Sequence, residues 1–520
     1  MQHAIAGFSL LPQKTEPIAV QGQKDTERTN YARLQKSFAA QFEQFFPDKL
    51  APKSVVVIPS LTLDTEILQK IEGVTYYEER MLCLLLLLRM PHTHVVYITS
   101  MPIDPVIVDY YLHLLPGITA YHARQRLTLL SCFDSSNKSL TEKILQRPRL
   151  IQRISSSIPQ HHVAHLSCFT VTEAERKLAI ALQLPVYGCD PDLSNLGNKS
   201  NGRKLFRSCR MDTPKGFEDL YTKSDIVDAL LQLKLDNPSL RKAVVKINEG
   251  FSGEGNAVFS FAGAPQSPEL EIWICDHFAK QLQIVAKDLT LETFLQKFKM
   301  EGGIVEEFIE GEIKHSPSVQ CRINPLGQAD VISTHDQVLG GENGQVYLGA
   351  SFPADAAYAK ELAVIGKKLA EELRHYGVLG RFAIDFISVK EGQIWKHYAI
   401  EINLRKGGTT HPYLMLQFLT CGSYDAEAAV FLTSNGQRRY YICTDNLQDD
   451  RYKGLTPHDL IDIAMCNELL YDSTLQEGVM FHLISALSQY GKLGLVCIGA
   501  TPERASFFYE KTVVVLEKAN

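Results

Sequence analysis

The strongest constraint on this chain is the stretch Gly380–Pro412, GRFAIDFISVKEGQIWKHYAIEINLRKGGTTHP. Two apolar runs, Phe382–Val389 and Tyr398–Leu404, flank the polar segment Lys390–Glu391–Gly392–Gln393, which predicts an antiparallel strand pair joined by a turn. Each run carries polar groups that a strand does not need: Asp385 interrupts the first, and Glu401 and Asn403 alternate with Ile400, Ile402 and Leu404 in the second. Residues two apart on a strand share a face, so Glu401 and Asn403 project together. A joining loop of Glu391–Trp395 sets Asp385 opposite Glu401 and brings three oxygen-bearing side chains together. A two-residue turn at Glu391–Gly392 sets Asp385 opposite Tyr398 and scatters them.

Three hard oxygen ligands with no Cys or His among them suit Mg²⁺, which is held by one or two carboxylates, waters and substrate phosphates. Arg405 and Lys406 add positive charge next to them, and Gly407–Gly408–Thr409–Thr410 supplies a flexible, hydroxyl-bearing loop able to approach a phosphate or carboxylate. The alternative is a solvated polar face on which Glu401 pairs with Arg405. The upstream chain decides between them.

With 520 residues, 45% hydrophobic and 22% charged, the chain is long enough for two to four domains and a large core. A net charge of −6 argues against a general nucleic-acid binder. The 11 cysteines form no CxxC pair and no Cys/His metal spacing, which predicts reduced thiols in a cytoplasmic protein. The N-terminus lacks the features of a signal peptide, and the apolar run Leu82–Leu88 stops at Arg89, far short of the ~18 residues that span a bilayer. It reads as a buried helix.

In chain order, residues 1–25 predict a weakly ordered lead-in and Thr26–Phe46 a helix. Strands at Lys53–Pro59, His94–Thr99, Leu127–Leu130 and Val163–Phe169 alternate with helices at Tyr77–Met90, Pro105–Leu115 and Thr172–Leu182. That alternation predicts a mostly parallel, Rossmann-like sheet over residues 26–188, without the glycine fingerprint of a dinucleotide site. Beyond Gly188, Asn198–Lys199–Ser200 opens a basic helix, and the strand Leu240–Ile247 carries Lys246 into the loop Gly250–Asn256, NEGFSGEGN with its preceding pair. The strand Ala257–Phe261 completes a hairpin whose glycines let backbone N–H groups lie over a polyphosphate. Gly302–Glu312 predicts a strand whose exit, around Glu307 and Ile309, offers main-chain groups to a heteroaromatic edge; the alternative is an acidic surface loop. Downstream, Tyr424–Leu432 predicts a helix, followed by a strand at Arg439–Thr444, a helix at Pro457–Met465, strands at Gly478–Ile484 and Gly494–Ile498, and a closing helix at Glu503–Val515.

In order, a lysine, a strand with lysine and glycine loop, a strand with acidic exit and then Asp…Glu-x-Asn resemble the ATP-grasp superfamily over about residues 184–417. The wording KINEGFSGEGNAVF and AIEINLRKGGTTHP resembles its pheganomycin-type peptide ligase branch. The resemblance implies an α/β and α+β architecture: an ATP-grasp fold (189–432, with subdomains at about 200–305 and 306–432) between a Rossmann-like pre-ATP-grasp domain and a C-terminal α/β extension (433–520). It implies ATP and Mg²⁺, or Mn²⁺ in its place, as cofactors, and small-molecule carboxylate and amine substrates joined through an acylphosphate. It implies metal binding by Asp385, Glu401 and Asn403, and ATP binding by Lys199, Lys246, Gly250, Ser252, Gly253, Gly255, Glu306, Glu307, Ile309 and Glu312. Glu310 competes with Glu312 for the ribose. Arg405 corresponds to the residue that stabilises the transferring phosphoryl group; Arg381, four residues before Asp385, is carried beside it as a catalytic candidate. No nucleic acid or membrane is expected, and a homodimer is the family expectation. An ATP-grasp kinase, or an inactive ATP-binding module, remains the alternative.

Overall fold

The computed structural model describes residues 18–63, 65–250, 255–266, 268–286, 289–340 and 346–518. The first layer is a parallel sheet of β1 (Lys53–Ile58), β2 (Thr93–Thr99), β3 (Leu127–Ser131) and β4 (Val163–Cys168), in the order β3-β2-β1-β4. Strand alternation divides its side chains between two cores. Val55 and Val57 enter the large central core, while Val56 and Ile58 pack with Tyr31, Leu166 and Leu178 on the other face. Tyr31 comes from the helix Ile18–Phe45, so that helix begins inside the segment expected to be a weakly ordered lead-in; residues 1–17 lie outside the described residues.

Val74–Arg89 is a 3₁₀ helix, buried along most of its length as its leucine run predicts. It is held between the first sheet and the C-terminal strands: the Tyr97 hydroxyl donates to the Glu78 carbonyl, and the Ser485 N–H donates to the Glu79 carboxylate at 3.2 Å. Glu78 accepts from both the N–H and the hydroxyl of Ser100, each at 2.6 Å. Burial outweighs these bonds and pushes both carboxyls up to about 7. The ionised forms therefore carry a penalty that is absent below the usual carboxylate range, grows as pH rises from about 4.5 to about 7 and is fully present above that. Glu79→Gln should melt with the wild type near pH 5 and be more stable near pH 8, by roughly 3 kcal/mol. Thermal unfolding at the two pH values checks this, and an unchanged difference between them refutes it.

A second, antiparallel sheet has the order β5-β9-β6-β7-β8, with β5 Gly216–Leu220, β6 Lys242–Ile247, β7 Asn256–Ser260, β8 Leu282–Ile284 and β9 Gly303–Glu307. It has its own core, in which Val245, Phe259 and Val305 meet Leu230, Phe278 and Phe298 from three helices. The third sheet contains β10 (Lys314–His315), β11 (Pro317–Ile323), β12 (Ala329–Gly340), β13 (Val346–Phe352), β14 (Gly380–Glu391) and β15 (Ile394–Asn403).

That sheet continues beyond residue 432. With β16 (Ser423–Asp425) and β17 (Val430–Leu432) forming a separate short pair, β18 (Tyr440–Gln448) pairs with β13, then with β20 (Lys492–Gly499), which pairs with β19 (Gly478–His482). The C-terminal strands thus extend the central sheet and share its core. The helix expected over Tyr424–Leu432 is replaced by the β16–β17 pair. Tyr424 and Phe431 are both buried against Phe352, while Asp425 accepts from the N–H groups of Glu427 and Ala428 and closes a turn between them. Side-chain burial here overrides the helix preference of the alanines. No helix among the described residues is long and apolar enough to cross a membrane.

Candidate active site

Gly392 and Gln393 make a two-residue turn between β14 and β15, with Gly392 at φ 64° and Glu391 opposite Ile394. Neither of the two loops considered from the sequence forms. A β-bulge between Asp385 and Phe386 then shifts the register by one residue and sets Asp385 opposite Glu401, with Ala383 opposite Asn403. The bulge therefore restores the convergence that the five-residue loop would have given.

These residues floor a cavity of ≈ 510 Å³. Lys199 and Lys246 line it from the second sheet and its neighbouring helix, with Glu306 to Ile309 along the exit of β9. Tyr77, Arg80 and Phe169 close it from the first layer, and Asp445 and Asn446 from the C-terminal strands. All three layers contribute lining residues.

Its charges are paired across the layers. Lys199 Nζ lies 2.5 Å from Glu401 Oε1, and Lys246 Nζ 2.5 Å from Glu306 Oε1, whose second oxygen accepts from Arg203 Nη1 at 2.7 Å. Asp385 accepts from Gln337 Nε2 and Asn403 Nδ2, each at 2.9 Å. Burial, with the Glu401 charge adding to it, pushes Asp385 up to about 6. Burial also raises Glu401, but Lys199, with help from Arg405 and Lys246, outweighs it and leaves Glu401 below its ordinary range. Two carboxylates face each other with one strained toward the neutral form. A divalent cation relieves that strain. The Asn403 amide gives its nitrogen to Asp385 and keeps its oxygen for a ligand, so the trio fits a hard cation.

Arg405 lines the same cavity. Arg381 does not: it lies half-buried beside Arg322, Tyr187 and Tyr413, one step further along the strand face than Ala383. Glu307 spends its N–H on the Lys215 carbonyl and its carboxylate on the Lys215 N–H. Glu312 is exposed and off the cavity; Glu310 is turned outward to Arg241 at 2.8 Å. Gly250 and Gly255 bring the two stems of their loop together, a Cβ on Gly250 falling 3.4 Å from Gly255 Cα. Ser252 and Gly253 lie outside the described residues.

Sequence reasoning missed Arg203, Gln337 and Arg80. Arg203 had a signal: it stands four residues after Lys199 in the helix Lys199–Ser208, so the two share a face. Gln337 and Arg80 reach the site from separate layers and had none.

A model of the IQCH-like ATP-grasp family matches residues 191–266 and 269–427, and one of the PGM1 C-terminal domain matches 459–512. The chain is 27% identical over 459 residues to the L-propargylglycine–L-glutamate ligase of Streptantibioticus cattleyicolor, covering 86% of this chain and 91% of that one. It is 22% identical over 527 residues to IQ motif-containing protein H of Danio rerio, covering 90% of this chain and 48% of that relative, so it spans about half that protein's length. Among solved structures, a biotin carboxylase–β-γ-ATP complex from Campylobacter jejuni superposes with a TM-score of 0.52 at 12% identity, over 90% of this chain and 95% of that one. The biotin carboxylase domain of Hydrogenobacter thermophilus 2-oxoglutarate carboxylase, complexed with MgADP, ADP and bicarbonate, gives 0.52 at 11% identity over 89% of each. At these identities the likeness is one of fold.

Proposed function

We propose that the chain, which a model of the IQCH-like ATP-grasp family matches over residues 191–266 and 269–427, is an ATP- and Mg²⁺-dependent ligase joining a carboxylate to an amine through an acylphosphate. The observation that carries this reading is that Asp385, Glu401 and Asn403 line one cavity together with Lys199 and Lys246. Asp385, Glu401 and Asn403 would hold Mg²⁺, which when bound draws charge from phosphoryl oxygens. The two lysines, released from their carboxylates, neutralise the phosphates of ATP. Arg405 bears on the γ-phosphoryl group as a substrate carboxylate attacks it, with ADP leaving, and then on the tetrahedral centre formed when the amine adds to the acylphosphate carbonyl, before phosphate leaves. The loop based on Gly250 and Gly255 covers the phosphates and keeps water from the acylphosphate. The relative that couples L-propargylglycine to L-glutamate supports amino acids as the substrate class for both partners. A cytoplasmic homodimer is part of the same proposal.

The test is ADP release from ATP and Mg²⁺ against amino acids and short peptides, singly and in pairs, with product masses. Release that needs a pair, with a product equal to both partners less water, is expected. Release with a single carboxylate and a stable phosphorylated product would replace the ligase by a kinase. ATP binding without release across the panel would favour a nucleotide-binding module.

A further inference from the structure

His411, Asp445 and His482 form a buried cluster that the ligase reading does not use. It is the one group of three or more His, Cys, Asp or Glu residues among those described whose ligand atoms converge as for a metal ion. His411 Nε2 lies 2.9 Å from His482 Nε2, His482 Nε2 lies 2.8 Å from Asp445 Oδ1, and His411 Nε2 lies 3.2 Å from the same oxygen. The histidines are 2% and 0% exposed, the aspartate 4%.

Hydrogen bonding cannot satisfy this triangle. With protons on both Nε2 atoms, two N–H groups collide at 2.9 Å. With a proton on one, it serves its two neighbours at best, and the other Nε2 then faces the carboxylate oxygen with lone pair against lone pair. With none, three lone pairs converge. Both Nδ1 atoms lack a hydrogen-bond partner, so that cost is common to every assignment. A cation satisfies all three contacts at once. Ligands at ~2.0–2.1 Å place it about 1 Å out of the plane of the triangle, which leaves a tetrahedral fourth position.

Local structure aims each ligand. Asp445 is buried in step with Tyr441 and Cys443 on β18, and the ladder to β20 is interrupted just there, between Thr444 and Leu447. His482 on β19 stands opposite Gly494 on β20, and a Cβ on Gly494 would lie 2.2 Å from His482 Nε2; the glycine is the space in which the ring lies. His411 is in the first turn of the helix Thr410–Thr420. The second carboxylate oxygen of Asp445 is 3.1 Å from Arg80 Nε, the kind of outer contact that orients a ligating carboxylate.

We propose that His411, Asp445 and His482 bind one Zn²⁺ or a similar divalent first-row metal ion. Two imidazoles and a carboxylate are a borderline donor set, unlike the hard oxygen trio at Asp385, so the two sites select different ions. The ion ties the helix that follows the cavity loop Gly407–Thr409 to two C-terminal strands.

Untagged full-length protein, treated with Zn²⁺ and desalted, should retain about one equivalent by elemental analysis, and zinc K-edge absorption should report two imidazole ligands. His482→Gln and His411→Gln should each lose the zinc, whereas Asp385→Asn should keep it. Stripping the wild type with a chelator should lower its melting temperature, and Zn²⁺ should restore it. A wild type that retains no zinc, or zinc without imidazole ligation, overturns the proposal, and so does retention in either folded histidine variant. If neither variant folds, the wild-type stoichiometry and absorption spectrum decide.

Discussion

Asp385→Asn should reduce substrate-dependent ADP release by at least about 10²-fold while leaving the protein as stable as the wild type or more so. The two effects part because the Asp385 charge is unfavourable to the fold. Burial and the facing Glu401 hold its carboxyl up near 6, against an ordinary value of 3.8. Its ionised form is therefore a cost that vanishes at low pH and is fully present above about 6, and Asn removes that cost at neutral pH. Asn fills the same space and keeps one of the two bonds accepted from Gln337 and Asn403. The lost charge is what a cation bridging phosphates requires. ADP release and thermal melting, measured on one preparation at pH 8, give the split. A variant that turns over within a few-fold of the wild type would remove Asp385 from the metal site and the proposed mechanism with it.

Much of this site was legible because strand alternation is a local property. Glu401 and Asn403 share a face in any strand, and Glu306 had to point away from Val305. Register was less legible. Both loops considered for the β14–β15 turn are absent, and the pairing of Asp385 with Glu401 comes from a bulge that composition does not announce. Partners distant in sequence were not legible. Glu306 was expected to bind ATP with Glu307 and Ile309, yet its side chain binds Arg203, 103 residues away, and Lys246 on the adjacent strand. The His411–Asp445–His482 cluster shows the same limit: two histidines 71 residues apart, one on a helix and one on β19, have no spacing signature, and their ring atoms meet only in the folded chain, where Gly494 leaves space for the His482 ring. The helix expected at 424–432 failed for a related reason, since the sheet residue that buries Tyr424 and Phe431 is Phe352.

Each cavity lysine rests on a carboxylate, and this arrangement sets the second large effect. Glu306→Gln should destabilise the second sheet by about 3–5 kcal/mol, because it leaves two buried cations without their anion. Glu306 and Arg203 are 2% and 3% exposed and Lys246 is 7% exposed. Glu218, 3.4 Å from Arg203, is shared with Arg207 and compensates one cation in part. Glu310→Gln is the control: it breaks a pair 2.8 Å long whose arginine is 75% exposed, and such surface pairs are worth about 0–1 kcal/mol. Because this sheet has a core of its own, the loss should appear first as faster hydrogen exchange over residues 216–307 rather than as a single global transition. In the proposed ATP complex polyphosphate supplies negative charge next to Lys246, so saturating MgATP should recover more stability in Glu306→Gln than in the wild type. Equal protection in the two variants would mean that the Arg203–Glu306–Lys246 triad holds the sheet no more firmly than a solvated ion pair. Recovery by MgATP no greater than in the wild type would separate Lys246 from the phosphates.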